Sequence, residues 1–155
     1  MKEKTCCFIG HRKTSQTVEL EFKLAEIVER LIVEENVDTF LFGSRSEFDD
    51  LCYYIVAEAK KVYPHIKRIY VRAEYPNIPE HYEKYLLGNF EETYYPEHVL
   101  GSGKAVYIER NYEMIDKSEF CVIYYREEEA PTTRKSGTKI ALDYAVRKRK
   151  NILRV

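Results

Sequence analysis

Residues 5–10 read TCCFIG, an unbroken run of apolar and β-compatible residues ended by glycine. Such a run, without apolar and polar alternation, is typical of a strand buried on both faces of a sheet. Residues 39–43 (TFLFG) repeat the pattern, and residues 119–125 (EFCVIYY) form a third run of this kind. We therefore expect residues 5–9, 39–42 and 119–125 to be strands inside a parallel sheet.

Stretches with helical periodicity separate these runs. After the first strand, apolar residues recur every three or four positions, and this spacing predicts a helix that buries its apolar face. The residues of that face are Val18, Phe22, Ala25, Val28 and Ile32, and it is widened by Leu20, Leu24, Ile27 and Leu31. Thr14 and Ser15 supply a capping signal for it. The complete pattern predicts helices over 15–35, 47–62, 106–117 and 138–148, and further strands over 67–71 and 151–155.

Strands that alternate with helices define an α/β protein with helices on both faces of the sheet. Because crossover connections are right-handed, few topologies remain. We predict a single Rossmann-like domain over residues 1–155, with a doubly wound, five-stranded parallel sheet in the order 3-2-1-4-5. Residues 74–103, rich in tyrosine and proline, form an insertion with room for a short helix near 80–87, and residues 126–135 form a polar loop.

Composition narrows the classes of function. The 155 residues are 45% hydrophobic and 33% charged, with a formal net charge of -1. This balance disfavours nucleic acid and anionic membranes as partners, because both attract basic proteins. No apolar run approaches the roughly 18–20 residues of a membrane helix, and the N-terminal run is too short for a signal peptide. We therefore expect a cytoplasmic protein without a membrane partner.

The four cysteines carry no metal-binding pattern. Cys6 and Cys7 are adjacent and would face opposite sides of a strand, and neither Cys52 nor Cys121 forms a C-x-x-C pair. We expect four buried thiols and no metal site.

Ligands of open parallel sheets bind outside the carboxyl ends of the strands, where the strand order reverses. In the predicted order, this point lies between the first and fourth strands. Glycine lets a ligand approach the backbone, arginine suits phosphate, and helix N-termini attract anions. Candidates after the first two strands are Gly10, His11, Arg12, Gly43, Ser44 and Asp49. Ordinary turns and helix caps are the alternative explanation for each of these residues.

Further candidates come from the rest of the chain. Ser136, Gly137 and Thr138 open the last helix, and Arg110 and Asn111 lie in the helix before the fourth strand. The alternative explanation for residues 136–138 is an ordinary helix cap, and the alternative explanation for Arg110 and Asn111 is a surface salt bridge. We expect Gly10, Gly43 and Gly137 to lie on one rim and to line one pocket. We also expect Arg12 and Arg110 to point into that pocket, outside the apolar core.

Taken together, these short segments resemble the SLOG superfamily, Rossmann-like proteins that include the DprA and LOG groups, and most closely its small YpsA-like members. The matching residues, in chain order, are FIGHR (8–12), FG (42–43), FD (48–49), YP (75–76), RN (110–111), MI (114–115), Ser118 and GT (137–138). The resemblance implies a site for nucleotides or their derivatives, such as ADP-ribose-like or NAD-derived molecules. We place Tyr75 in this site and expect it to require no metal and no other cofactor.

The LOG branch carries the pattern P-G-G-x-G-T followed closely by a catalytic glutamate. Here Ser136 replaces a glycine, no glutamate follows in residues 139–141, and Ser46 replaces a second expected glycine. Neither a Walker A sequence nor G-x-G-x-x-G is present. The leading hypothesis is therefore a module that binds or senses a nucleotide-derived ligand, with no assigned catalytic residue and with a homo-oligomer compatible with the sequence.

Two alternatives stay open. The first is an N-glycosidic hydrolase of the LOG type, for which Asp49, Asp50 and Glu109 are the candidate carboxylates. The second is a DprA-like binder of single-stranded DNA, which the net charge of -1 and the lack of a basic stripe disfavour.

Overall fold

A computed structural model of the chain describes residues 3–15, 17–98, 101, 103, 105–130 and 136–155. Over these residues the strands are β1 (Lys4–Gly10), β2 (Val37–Phe42), β3 (Lys67–Val71), β4 (Glu92–Tyr94), β5 (Phe120–Tyr124) and β6 (Asn151–Arg154). The helices are α1 (Val18–Val33), α2 (Glu47–Val62), α3 (Glu80–Asn89), α4 (Ala105–Asp116) and α5 (Gly137–Arg147), with a short 3₁₀ turn at Glu127–Glu129.

All strand pairs are parallel, and the sheet has the order β4-β3-β2-β1-β5-β6. The predicted α/β class is therefore confirmed, as is the relative order of the five predicted strands. The predicted count of five is wrong, because the sheet has six strands. The additional strand, β4, is a three-residue edge strand inside the insertion, and three residues with a leading glutamate are too few to show strand periodicity.

The two faces of the sheet carry separate cores. On one face, Phe8 stacks with Phe40 and Phe42, and α1, α2 and α3 cover these rings. On the other face, Cys7, Ile9 and Ile123 pack beneath α4 and α5. Helices on both sides of a parallel sheet are what a doubly wound fold requires. All four cysteines are free and buried, as predicted.

Helix α1 buries only part of its predicted apolar face. Its buried side chains are Leu20, Leu24, Ile27, Val28, Leu31 and Ile32, whereas Val18 and Phe22 are 67% and 72% exposed. Apolar residues occupy more of the helix circumference than one packing face can cover, so periodicity alone left the choice open. The start was also wrong: the Thr17 side chain, rather than Thr14 or Ser15, caps the helix by accepting the Leu20 amide at 3.0 Å.

Two regions named from sequence are only partly described. Within the insertion, residues 99, 100 and 102 lie outside the described residues, as do residues 131–135 of the polar loop. In the part of the chain that the structure describes, no helix is both long and apolar enough to cross a membrane. Those same residues bring together no group of three His, Cys, Asp or Glu side chains that could hold a metal ion.

Candidate functional site at the carboxyl edge of the sheet

The predicted glycines lie where the parallel strands end. Gly10 is the last residue of β1 and pairs with Tyr124, the last residue of β5. Gly43 follows β2 directly, and Gly137 begins α5, the helix after β5. The chain thus places all three at the edge of the sheet where α/β proteins bind ligands.

The crevice between β1 and β5 is filled by the protein's own side chains. His11 is buried, and its Nε2 accepts the Arg126 amide at 2.9 Å. Its ring packs edge-on against Tyr124, with the ring centres 5.8 Å apart. The Phe48 ring stacks on the Tyr124 ring, with the ring centres 5.5 Å apart. Phe48 also lies so close to Gly10 that a Cβ at position 10 would overlap its ring. The glycine therefore allows an aromatic ring of the same chain to approach the backbone.

The loops after β1 and β5 are tied to each other above this crevice. The Ser15 hydroxyl donates to the Glu129 carboxylate at 2.7 Å, and the Tyr124 hydroxyl donates to it at 3.0 Å. The hydrogen bond from Ser15 is the main cause that lowers the pKa of Glu129. The Arg12 carbonyl accepts the Glu47 amide at 2.8 Å. The Arg12 side chain is exposed and donates to no described residue, so it faces solvent.

Arg110 crosses the end of β2 and is part of the packing. Only 6% of it is exposed, and its guanidinium donates to the Gly43 carbonyl and, through Nε at 3.2 Å, to Asn111 Oδ1. A Cβ at position 43 would lie 2.7 Å from Arg110 Cδ and 2.6 Å from Met114 Sδ. The expectation that Arg110 lies outside the buried interior is therefore wrong, because its aliphatic chain fills the space that Gly43 leaves.

Asp49 is a buried carboxylate with one satisfied oxygen. The hydroxyls of Ser44 and Ser46 donate to Oδ2, the latter at 3.2 Å, and Ser46 in turn caps α2 by accepting the Asp49 amide at 3.1 Å. Oδ1 has no hydrogen-bond partner among the described residues. Burial raises the pKa of Asp49 to about 6, against the lowering effects of Ser44 and of the charge on Arg110.

A half-open pocket of about 70 Å³ lies beside Asp49, between α2 and α3. Its lining residues are Phe42, Ser44, Arg45, Asp49, Asp50, Tyr53, Tyr85, Asn89 and Phe90. At its exposed side the Arg45 guanidinium lies over the Tyr85 ring at 5.6 Å and 4.0 Å from Asp50. Pockets for whole ligands usually measure ~300–1,000 Å³. This pocket therefore holds a ring edge or a substituent, and a larger ligand would extend along the rim.

From the predicted set, the pocket includes Ser44 and Asp49. Gly10, Gly43 and Gly137 are not among its lining residues, so the expectation that the three glycines share a pocket stays a prediction. The Phe48 ring packs against Gly10 at the end of β1, and Arg110 packs against Gly43 after the end of β2, so these two side chains occupy the space next to both glycines. Tyr75 is 64% exposed on the loop after β3.

Helix α3 contributes one wall of the pocket, and its lining residues, Tyr85 and Asn89, were not among the predicted site residues. Tyr85 and Asn89 lie one turn apart on this helix and thus on one face, and Asn89 holds the wall together by donating to the Tyr85 carbonyl at 2.9 Å. Tyr53 of α2 joins them, because its hydroxyl donates to the Asn89 carbonyl at 2.6 Å. The four-residue spacing of Tyr85 and Asn89 in the tyrosine-rich insertion was the one signal in the sequence that pointed to this wall.

At the start of α5, Gly137 is the exposed residue of the segment 136–138. Ser136 is buried, and its hydroxyl caps the helix by accepting the Lys139 amide at 3.0 Å. Thr138 is also buried, whereas Gly137 is exposed, and a Cβ added there would meet no other atom within 4 Å. The free amides of this helix end point toward the same edge of the sheet as Gly10. An anion-binding role for residues 136–138 stays a prediction.

These observations define a doubly wound α/β protein whose carboxyl edge carries a small pocket with aromatic walls and two carboxylates. No family model matches the chain, and no curated protein matches it in sequence. Among solved structures, the Moco carrier protein of Chlamydomonas rheinhardtii is similar, with a TM-score of 0.54 and 14% sequence identity. The similarity covers 100% of this chain and 77% of that chain. At this level of identity the likeness is one of fold.

Proposed function

We propose that this protein binds a nucleotide-derived small molecule, of the nucleotide, NAD or ADP-ribose kind, at the carboxyl edge of its sheet, and that it is a cytoplasmic member of the SLOG superfamily. The sequence motifs support the family, and the topology supports the position of the site, since doubly wound sheets bind ligands at this edge. The similar fold of a Moco carrier protein is compatible with a bound small molecule.

The observation that carries the proposal is the unpartnered Oδ1 of Asp49, which has no hydrogen-bond donor among the described residues. A buried polar atom without a hydrogen bond costs about 1–3 kcal/mol, and more if it is charged. Such atoms are rare in native proteins and call for a specific explanation, of which a bound molecule is one. Asp49 lines the rim pocket, so a ligand that donates a hydrogen bond there removes this cost on binding.

The test is calorimetric titration of the protein with AMP, ADP-ribose, NAD and the corresponding nucleosides. We expect at least one nucleotide to bind and Asp49→Asn to weaken its binding at least about tenfold, since hydrogen bonds to charged groups contribute roughly 1.5–3 kcal/mol. Asp50→Asn is the matched control, because Asp50 is exposed at the next position of the same pocket. Absence of binding by the whole panel, or equal losses in the two variants, would contradict the proposal.

One observation favours a second function, cleavage of an N-glycosidic bond. A general acid or base works best when its pKa lies near the working pH, and burial raises the pKa of Asp49 to about 6. Of the other carboxylate candidates, Asp50 is exposed and Glu109 accepts the Gly101 amide at 3.2 Å. Chromatography of AMP or NAD after incubation with the protein would reveal a released base. Release that Asp49→Asn abolishes would establish the hydrolase, and an intact substrate would exclude it for these compounds.

A further inference from the structure

The charges around the rim pocket exclude a phosphate group from it. Its lining residues include two carboxylates, Asp49 and Asp50, and one guanidinium, that of Arg45. The guanidinium already lies 4.0 Å from Asp50 and over the ring of Tyr85. Among the lining residues carboxylates outnumber guanidinium groups, so an anion entering this space would lose its hydration next to Asp49 and Asp50. The part of the ligand that enters the pocket is therefore neutral or cationic.

Besides the donors of Arg45, the residues that line the pocket carry acceptor oxygens, among them those of Asp49 and Asn89. Asp49 Oδ1 lacks a donor among the described residues. Asn89 uses its Nδ2 on the Tyr85 carbonyl, which leaves its Oδ1 as a further acceptor. A group that fits this pocket carries N–H or O–H donors.

The pocket walls favour a flat group. Phe42, Tyr53 and Phe90 form one aromatic cluster, with ring centres 5.1 to 5.9 Å apart, and Tyr85 stands across from them as an exposed lining residue. Flat π-systems stack on exposed aromatic rings such as that of Tyr85, and every nucleobase has a π-face for such a contact. A volume of about 70 Å³ admits the edge of a ring and leaves a sugar and phosphates outside.

We propose that this pocket recognises the amino-bearing edge of a nucleobase, with the exocyclic amine donating to Asp49, and that the ribose and phosphates lie outside it along the rim. The inference rests on the proposed function and specifies which part of the nucleotide the pocket reads. Asp49 Oδ1 is covered by protein atoms. The exposed side chains of Arg45 and Tyr85 turn aside as the base enters, a motion that costs little for surface residues.

The experiment compares AMP with purine riboside 5′-monophosphate, which differs from AMP only by the absence of the exocyclic amine. We expect the wild-type protein to bind AMP about ten- to a hundredfold more tightly in calorimetric titrations. Asp49→Asn brings the ratio of the two affinities close to one. The control variant Asp38→Asn, which lies near the start of β2 and outside the pocket lining, keeps the wild-type ratio. Circular dichroism melting verifies that both variants fold.

The outcomes separate the inference from the function on which it rests. Equal wild-type affinities for the two nucleotides would overturn the recognition of the amine and leave nucleotide binding standing. A preference for AMP that persists in Asp49→Asn would overturn the assignment to this pocket. Failure of every nucleotide to bind would overturn both proposals. The wild-type comparison needs no variant, so the inference is testable even if Asp49→Asn does not fold.

Discussion

Two parts of the same sheet edge differ in how fully the protein occupies them. Between the ends of β1 and β5, the rings of His11, Phe48 and Tyr124 fill the crevice, and the His11 ring accepts an amide across it. Beside the end of β2, a pocket of about 70 Å³ remains, and one oxygen of Asp49 lacks a described partner. Topology therefore identifies the edge that can bind a ligand, but side-chain packing decides which part of that edge is free to do so.

The largest expected effect concerns the buried arginine over β2. Arg110→Ala removes the donor to the Gly43 carbonyl and the side chain that packs on Gly43. We expect a loss of about 3 kcal/mol of unfolding free energy, and a Tm lower by roughly 6–12 °C. Arg12→Ala, in contrast, changes stability by less than about 0.5 kcal/mol, because its side chain is exposed. Denaturant unfolding of the two variants measures both values, and equal losses would remove the distinction between a packed and a solvated arginine.

The second prediction concerns pH. Burial raises the pKa of folded Asp49 from 3.8 to about 6, so between these values the folded protein holds a proton that the unfolded chain has released. The associated stability is fully present below about pH 4 and is lost as the pH rises through 6, in total about 3 kcal/mol. We expect Asp49→Asn to remove this loss, so that its stability relative to wild type increases between pH 4 and pH 7.

Denaturant unfolding at a series of pH values provides the measurement. The reference is Asp50→Asn, which retains the wild-type dependence because Asp50 is exposed. Parallel pH profiles for the wild type and Asp49→Asn would mean that the carboxylate next to the pocket titrates as it does in the unfolded chain.

The smallest expected effect tests the filled crevice directly. His11→Ala removes the acceptor of the Arg126 amide and the contact with Tyr124, which should cost about 1–3 kcal/mol of stability. Because His11 does not line the pocket, nucleotide affinity should change less than about twofold, or about 0.4 kcal/mol. Calorimetry together with thermal melting gives both values. A large loss of affinity with unchanged stability would move the ligand site into the crevice.

Sequence periodicity and terminal signals predicted most of the fold. Helix α2 and strand β3 have the predicted bounds, Glu47–Val62 and Lys67–Val71, because charge at the helix start and Pro64 after its end mark the boundaries. Strand β4 was missed because an edge strand of three residues depends on its partner β3 for its structure. At the predicted apolar face of α1, Val18 and Phe22 are exposed because apolar residues occupy more of that helix than its packing contacts cover.

The residues of the candidate site were harder to predict from the sequence than the fold. Ser44 and Asp49 were predicted, since they follow a strand and begin a helix, which is where ligand contacts concentrate in this fold. Their companions Tyr53 and Asn89 come from different helices and meet only through the packing of α3 beside α2. The role of Arg110 likewise depends on a contact with Gly43 across the sheet edge. No short-range pattern encodes such contacts.

Gly10, the last residue of β1, has no Cβ, and this limits which substitutions the sequence can accept during evolution. An alanine at position 10 would overlap the ring of Phe48, so the two positions cannot vary independently. The substitutions have an order: the residue at position 48 must become smaller before a Cβ can appear at position 10. A homologous chain with alanine at the first position is therefore expected to carry a smaller residue at the second, and the reverse order passes through an intermediate that cannot pack.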